Sequence, residues 1–489
     1  MKGDLPFNWT ERRASELCSL ITSGSRGWAK YYAESGAGFI RVQNVRRGRI
    51  DLDLDDLQHV RLPKNAEGSR TRLHLNDVTI TITADLGRVG LVGDAVGEAY
   101  VNQHVALARP TEAVVPGYLA WFIAGPNAQQ QLGLLDRGAT RSGIGLKDIE
   151  GLIVPLPPLA EQRRIVAQIE ALFARTRRAR ADLERIAPLS DRHRLASLRA
   201  GVTGQFTEAW RQGRPIEDVR IALRRIPAPE QGRGGREATT DVTPGMAALS
   251  VNDPGTLAPP GWAWTPLLGV ARQETGHTPS RRVPAYWDGG DVPWVGIRDA
   301  GAHHGTTIYD TMQKCTELGL ANSSARLLPA GTVCLSRTAS VGYVTVLGKS
   351  MATSQDFATW TCTPALLPEY LKFALLAEGD DIRRFGEGST HTTIYFPEIR
   401  ALHICLPSIE EQAEIVRILT SNAGGQTIAS TEAARSRALL DRLEKSILAR
   451  AFRGELVPQE DPQASEVTTG NASFLPERKG IRRGAHRAA

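Results

Sequence analysis

Leu156-Pro157-Pro158-Leu159-Ala160-Glu161-Gln162, running on into Ile165-Val166, returns as Leu406-Pro407-Ser408-Ile409-Glu410-Glu411-Gln412 with Ile415-Val416, 250 residues later. Proline, an acidic first turn and then apolar residues at spacings of three and four open an amphipathic helix. In the first copy Ile165, Val166, Ile169, Leu172 and Phe173, then Leu183 and Ile186, carry the pattern over residues 159–186, ~40 Å at 1.5 Å per residue. Pro188 is expected to interrupt this helix, with a second one over 189–199 and Gly201 and Gly204 at its end. The second copy predicts helix over 409–419 and 432–452. Gly424-Gly425, standing where the first copy has Ala174-Arg175, predicts a break or kink, because mid-helix glycine costs roughly 1 kcal/mol against alanine.

The repeat extends outward from that segment in both directions. Downstream, Leu198 to Gly204 matches Leu448 to Gly454. Upstream, Gly138-Ala139-Thr140 matches Gly388-Ser389-Thr390, Ile149 matches Ile399, Gln103 matches Gln355, and Val89-Gly90 matches Val341-Gly342. Phe39-Ile40 pairs with Trp294-Val295, and Trp9-Thr10 with Trp264-Thr265; the two tryptophans are expected to close their domains as core residues. Each copy is therefore a divergent part followed by a constrained helical part, the pattern of two different readers on one frame. The divergent parts read as mixed α/β: residues 78–82 and 331–335 alternate like strands, and proline opens helices at Pro116–Ala124 and at 368–377.

At 489 residues the chain is too long for one core. The expected divisions are a first α/β domain over 1–157, helices over 158–210, a Gly/Pro/Arg-rich linker over 211–258, a second α/β domain over 259–407, helices over 408–457 and a flexible tail over 458–489. The five cysteines never fall in CxxC spacing, which argues against structural zinc and for a reducing, cytoplasmic compartment. No apolar run approaches the ~18 residues of a membrane helix, and no membrane partner is expected. A net charge of +6 is compatible with a nucleic-acid partner.

Catalytic signatures are missing. There is no Gly-rich cofactor loop with an Asn/Asp-Pro-Pro-aromatic motif, as a methyltransferase needs. Gly348-Lys349-Ser350 lacks the glycine five residues earlier, where Tyr343 stands. His303-His304 has no ligand partner at metal spacing, so no metal site is expected. No nucleophile elbow supports a hydrolase.

The constrained segment resembles the one that closes each target-recognition domain of type I restriction–modification specificity subunits. Leu448-Ala449-Arg450-Ala451-Phe452-Arg453-Gly454-Glu455-Leu456 is similar to the close of that family's second helical region. The resemblance implies two tandem α/β target-recognition domains, each followed by long helices forming an antiparallel coiled-coil frame. It implies a non-catalytic chain that recognises a bipartite, asymmetric site on double-stranded DNA. Two methyltransferase (M) subunits and restriction (R) subunits would be its partners, with S-adenosylmethionine, ATP and Mg held by those partners and none by this chain. A stand-alone two-domain DNA-binding regulator is the alternative.

For DNA contact, loop residues able to grip base edges or phosphates are the candidates. In the first copy these are Arg26, Lys30, Tyr31, Asn44, Arg46, Arg47, Arg137, Thr140 and Arg141. In the second they are Arg281, Arg282, Tyr286, Arg298, Arg337, Thr390, His391 and Thr392. Thr140 and Thr390 have an equal claim as loop-structuring residues. Ile165, Ile169, Phe173, Ile415, Leu419 and Leu448 are the expected subunit-docking positions of the helices.

Overall fold

The computed structural model describes residues 5–61, 69–133, 143–231, 237–338, 340–388 and 392–459. The chain divides into two compact units, Met1–Asp182 with Arg435–Ala489, and Leu183–Ala434.

In the first unit an antiparallel sheet orders its strands Cys18–Ser23, Val105–Pro110, Val78–Thr81 and Val89–Leu91. Val78 to Thr81 is buried at every position, as a central strand covered on both faces should be. A second, mixed sheet carries Tyr32–Ala33, Gln58–Val60, Ala37–Ile40 and Ala99–Val101. The helix Pro116–Ala124 is apolar around its whole circumference and lies buried in the core. Its Trp121 packs 4.7 Å from the Phe173 ring, and its Phe122 packs 5.3 Å from Phe452.

The second unit repeats the plan with additions. Its main sheet runs Ala271–Thr275, Phe357–Cys362, Val333–Ser336, Val344–Leu347, Thr307–Ile308, and a smaller one runs Gln313–Cys315, Val292–Val295, Ala352–Thr353. The described residues of 211–258, expected as a linker, instead fold into this unit. They carry the short helix Val219–Leu223, and their strand Leu249–Val251 pairs with Leu402–Leu406. Glu378, fully buried, accepts from the backbone N–H groups of Met246 (2.5 Å), Ala247 (3.1 Å) and Leu249 (3.3 Å). A Gly/Pro-rich composition reports turns, and turns here join elements that a buried carboxylate holds in place.

Both long helices are continuous, against expectation. The first spans Leu159–Val202 with Pro188 inside it, and the second spans Ile409–Ala451 through Gly424-Gly425. Proline costs a helix about 3 kcal/mol and glycine about 1. Each helix is anchored in a core at both ends: Phe173 and Leu198 are buried on the first, Ile415 and Leu448 on the second. With apolar side chains contributing ~1.5–3 kcal/mol each on burial, the packed ends outweigh the breakers.

The six expected docking residues need correction. Ile165, Ile169, Phe173, Ile415, Leu419 and Leu448 are at most 6% exposed within this chain. The first three and Leu448 belong to the core of the first unit, and Ile415 and Leu419 to that of the second. An apolar stripe reports that a helix face is covered, not what covers it.

Candidate nucleic-acid interface

The repeated Pro–Glu–Gln motif proves to be a clamp, made with the same atoms in both units. Trp9 Nε1 donates to Glu161 at 3.1 Å, and Trp262 Nε1 donates to Glu411 at 2.9 Å. The partner of Trp9 across the repeat is thus Trp262 and not Trp264. The strand register agrees, since Thr10 pairs with Leu156 and Ala263 with Leu406. Gln162 accepts from the Val115 N–H at 2.7 Å and donates to the Pro157 carbonyl at 2.8 Å; Gln412 does the same with Leu367 (2.8 Å) and Pro407 (3.1 Å). Val115 and Leu367 are the residues just before the buried helices Pro116–Ala124 and Pro368–Glu378. Each glutamine therefore satisfies an orphan N–H at a helix start. Tyr118 and Tyr370 donate to the Pro155 (2.6 Å) and Cys405 (2.8 Å) carbonyls, and burial pushes both phenols well up, keeping them neutral donors.

At one end of each main sheet, away from the clamp, a second duplicated arrangement gathers loops that are distant in sequence. Gly24 and Gly276 leave their sheets so close to the carbonyls of Val101 and Thr353 that a Cβ would collide with them. The turn before the strand Val105–Pro110 holds Asn102, Gln103 and His104; its counterpart holds Ser354, Gln355 and Asp356. Asn102 accepts from the His104 N–H (3.1 Å) and Ser354 from the Asp356 N–H (3.2 Å). Thr83 hydrogen-bonds the His104 ring, and Thr338 donates to Asp356 at 2.7 Å. Ile144 N–H donates to the Ile82 carbonyl and Ile394 N–H to that of Arg337, each at 2.9 Å. The backbone of this tip is one structure built twice, while the side chains it offers differ.

Several sequence-named residues belong to this tip. Arg26 is exposed on the loop after Gly24, and Lys30 is exposed 5.0 Å from the Tyr31 ring centroid. Arg337 donates to the Gln355 carbonyl at 3.1 Å and lies 4.4 Å from the Phe396 ring; burial, opposed by Asp356, pushes its guanidinium below the usual arginine range. Thr392 donates to the Gly388 carbonyl at 3.2 Å. Arg281 rests over Trp287 (4.5 Å) and Trp294 (5.3 Å) and donates to Gln313 at 2.9 Å; Arg282 beside it is exposed, and Tyr286 is half-buried. Arg298 is exposed on the short helix Ile297–Ala302. Arg137, Thr140, Arg141, Thr390 and His391 lie outside the described residues.

Asn44 is a correction. It is 1% exposed, accepts from the Arg41 N–H (2.9 Å) and donates to the Asp53 carbonyl (2.8 Å). Asp299, also buried, takes the same place in the second unit, accepting from the N–H groups of Gly296 (3.0 Å) and Met312 (2.8 Å). Both are loop-builders, unavailable to DNA. Arg46 and Arg47 are exposed but already paired, with Asp53 and Asp85, at 2.8 and 2.7 Å. Sequence reasoning missed the turns 102–104 and 354–356. The signal was Gln103 repeating as Gln355 between unlike neighbours.

Among the described residues no cluster of His, Cys, Asp and Glu could hold a metal, and no helix is long and apolar enough to cross a membrane. The type I restriction modification DNA specificity domain matches twice, at residues 8–185 and 259–434. The chain belongs to that family. Its specificity subunits are recognition chains, the methyltransferase and restriction activities lying in partner subunits, and this chain is a specificity subunit without catalysis of its own. It is similar to the EcoKI specificity subunit of Escherichia coli K12, 23% identical over 96% of this chain and 94% of that one. The StySPI specificity subunit of Salmonella potsdam is 23% identical over the same shares. The fold is that of the HsdS subunit from Thermoanaerobacter tengcongensis, with a TM-score of 0.56, 20% identity, and coverage of 93% of this chain and 99% of that one. A chain solved in work on complex assembly and conformational transition of the type I R-M system superposes with a TM-score of 0.66 at 21% identity, covering 93% of this chain and all of that one.

Proposed function

We propose that this specificity subunit reads a two-part, asymmetric site on double-stranded DNA, one part with the tip of each unit. The observation that carries the reading is the duplicated tip: a fixed backbone arrangement bearing different side chains, beside exposed cations such as Arg26 and Arg282. Phosphate contacts by such cations position a protein on the duplex, and polar side chains at the tip read base edges. The long helices Leu159–Val202 and Ile409–Ala451 serve as an antiparallel coiled-coil frame that sets the gap between the two parts. Two M subunits dock on that frame, through positions other than the six buried in the cores, and R subunits join them. S-adenosylmethionine belongs to the M subunits and ATP and Mg to the partner subunits, in the cytoplasm. An adenine in each part is flipped from the duplex into an M subunit's pocket.

The test is a map of methylated adenines made by the assembled complex. Replacing residues 5–150 with the same region of a relative is expected to change one part of the methylated site and leave the other intact. Simultaneous change of both parts would end the modular reading.

A further inference from the structure

Among the polar groups at the two tips, one position changes its chemistry while its support stays the same. His104 and Asp356 each donate their backbone N–H to the side chain two residues earlier, and each has a hydroxyl contact from an equivalent threonine. Each follows a glutamine, Gln103 or Gln355, in a turn leading into the strands Val105–Pro110 and Phe357–Cys362. His104 and Asp356 are half-buried, and Gln355 is exposed. A purely structural turn needs only the backbone and one acceptor, and either residue would serve in both units.

We propose that these turns are the base-discriminating elements of the two half-sites, with His104 and Asp356 as specificity-determining residues. The proposal rests on the recognition reading above. A carboxylate only accepts hydrogen bonds, and its two oxygens have about four lone-pair sites. Thr338 uses one at 2.7 Å and Ser354 one at 2.9 Å, leaving acceptor capacity on both oxygens. Such a group matches a base edge that presents an amino group in the major groove, cytosine N4 or adenine N6, and rejects guanine O6 and thymine O4. The neighbouring Arg337, bonded to the Gln355 carbonyl at 3.1 Å, offsets the repulsion between Asp356 and nearby phosphates. His104 sits in the same cradle with Thr83 at Nδ1 and Gln103 Nε2 2.8 Å from Nε2. Its imidazole carries no fixed negative charge, so the half-site read by the first unit does not share that requirement. The glutamines are common to both tips but held differently, Gln103 by His104 and Gln355 by the Thr278 hydroxyl, which donates to it at 2.6 Å.

The decisive experiment uses the full chain assembled with its M subunits and reads the methylated motif genome-wide. The wild-type motif is measured first; if it has no two-part form, the recognition reading falls, and this proposal with it. Asp356→Asn keeps the shape of the turn and one of its two hydroxyl bonds, reverses the other, and turns one acceptor into a donor. We expect discrimination at a single position of one half-site to drop about 10-fold or to move toward a base with an acceptor, with the other half-site and the gap unchanged. His104→Asp is the reciprocal variant in the other unit and is expected to introduce preference for an amino-bearing base in the other half-site. An unaltered motif for both variants overturns the proposal and leaves the turns as scaffolding. So does a uniform fall in methylation at every site, which a loosened tip would give. If one variant fails to assemble with M, the other decides alone, since each reads a separate half-site.

Discussion

The two units of this molecule are the same at their clamps and different at their tips, and that contrast locates function more sharply than any single residue. Trp–Glu, Gln–helix start and Tyr–carbonyl contacts recur atom for atom. At the tips, His104 of the first unit stands at the position that Asp356 holds in the second. Where two copies must do the same mechanical job they keep the same side chains. Where they meet different surfaces they keep the backbone and change what it presents.

The clamps still differ in one respect, and the largest expected effect follows from it. Glu411 holds the Trp262 indole and also forms an ion pair with Arg211, whose side chain is 10% exposed. Glu161 holds the Trp9 indole at 3.1 Å and Asn8 at 3.5 Å, with no cation paired to it among the described residues. Glu411→Ala strands a buried charge and is expected to cost ~3–5 kcal/mol, whereas Glu161→Ala strands a neutral N–H for ~1–3 kcal/mol. Denaturant unfolding of the two full-length variants checks this. Equal losses would mean the clamps are energetically alike and the arginine adds nothing.

What could be read from the sequence, and what could not, divides along the same line. The motif was legible as a repeated helix opening because its proline, glutamate and glutamine sit within seven residues of chain, and helix-start chemistry restricts those positions to few residue types; that its glutamate holds a tryptophan and its glutamine a second helix start was not. Trp262 was missed because Trp264-Thr265 offers a better local match to Trp9-Thr10, and only strand register with Leu406 distinguishes them. The tip was not legible. Its partners Thr83, His104 and Ile144 come from three separate loops, and nothing in their spacing announces that they meet. Asn44 had the right chemistry for adenine and was a loop-builder instead. A residue type alone does not say which way its amide faces.

A smaller effect tests the helices. Gly424 and Gly425 stand in the second helix where the first has Ala174 and Arg175, and a Cβ at either glycine would meet nothing within 4 Å. With open space around them and helical backbone on both sides, Gly424→Ala and Gly425→Ala should each stabilise the chain by about 1 kcal/mol. Ala174→Gly should destabilise it by about the same amount. Thermal unfolding measures all three. Destabilisation by the alanines would mean that the glycines serve a bend or a close partner approach in the assembled complex rather than being tolerated.

The smallest expected effect is a pH dependence confined to the second unit. His304 lies in a loop matching residues 45–57 of the first unit, at the place of Arg49. It accepts the Val344 N–H on Nδ1 at 3.1 Å, and its ring packs edge-on against Tyr343 with centroids 5.7 Å apart. Burial, reinforced by the Arg194 charge, pushes its pKa below the ordinary 6.5. Below pH 6.5 the unfolded chain therefore binds a proton that the folded chain resists, and stability contributed by neutral His304 is lost as the pH falls through that range. Above it the contribution is fully present. His304→Gln keeps an acceptor for Val344 and removes the titration. Wild type and variant should then unfold together at pH 7.5, with the wild type losing ground to the variant at pH 5.5. Arg49→Gln in the first unit should open no such gap, because arginine does not titrate in this range. If the His304 variant tracked the wild type at both pH values, the ring would be solvated when folded and the loop would hold by its backbone alone.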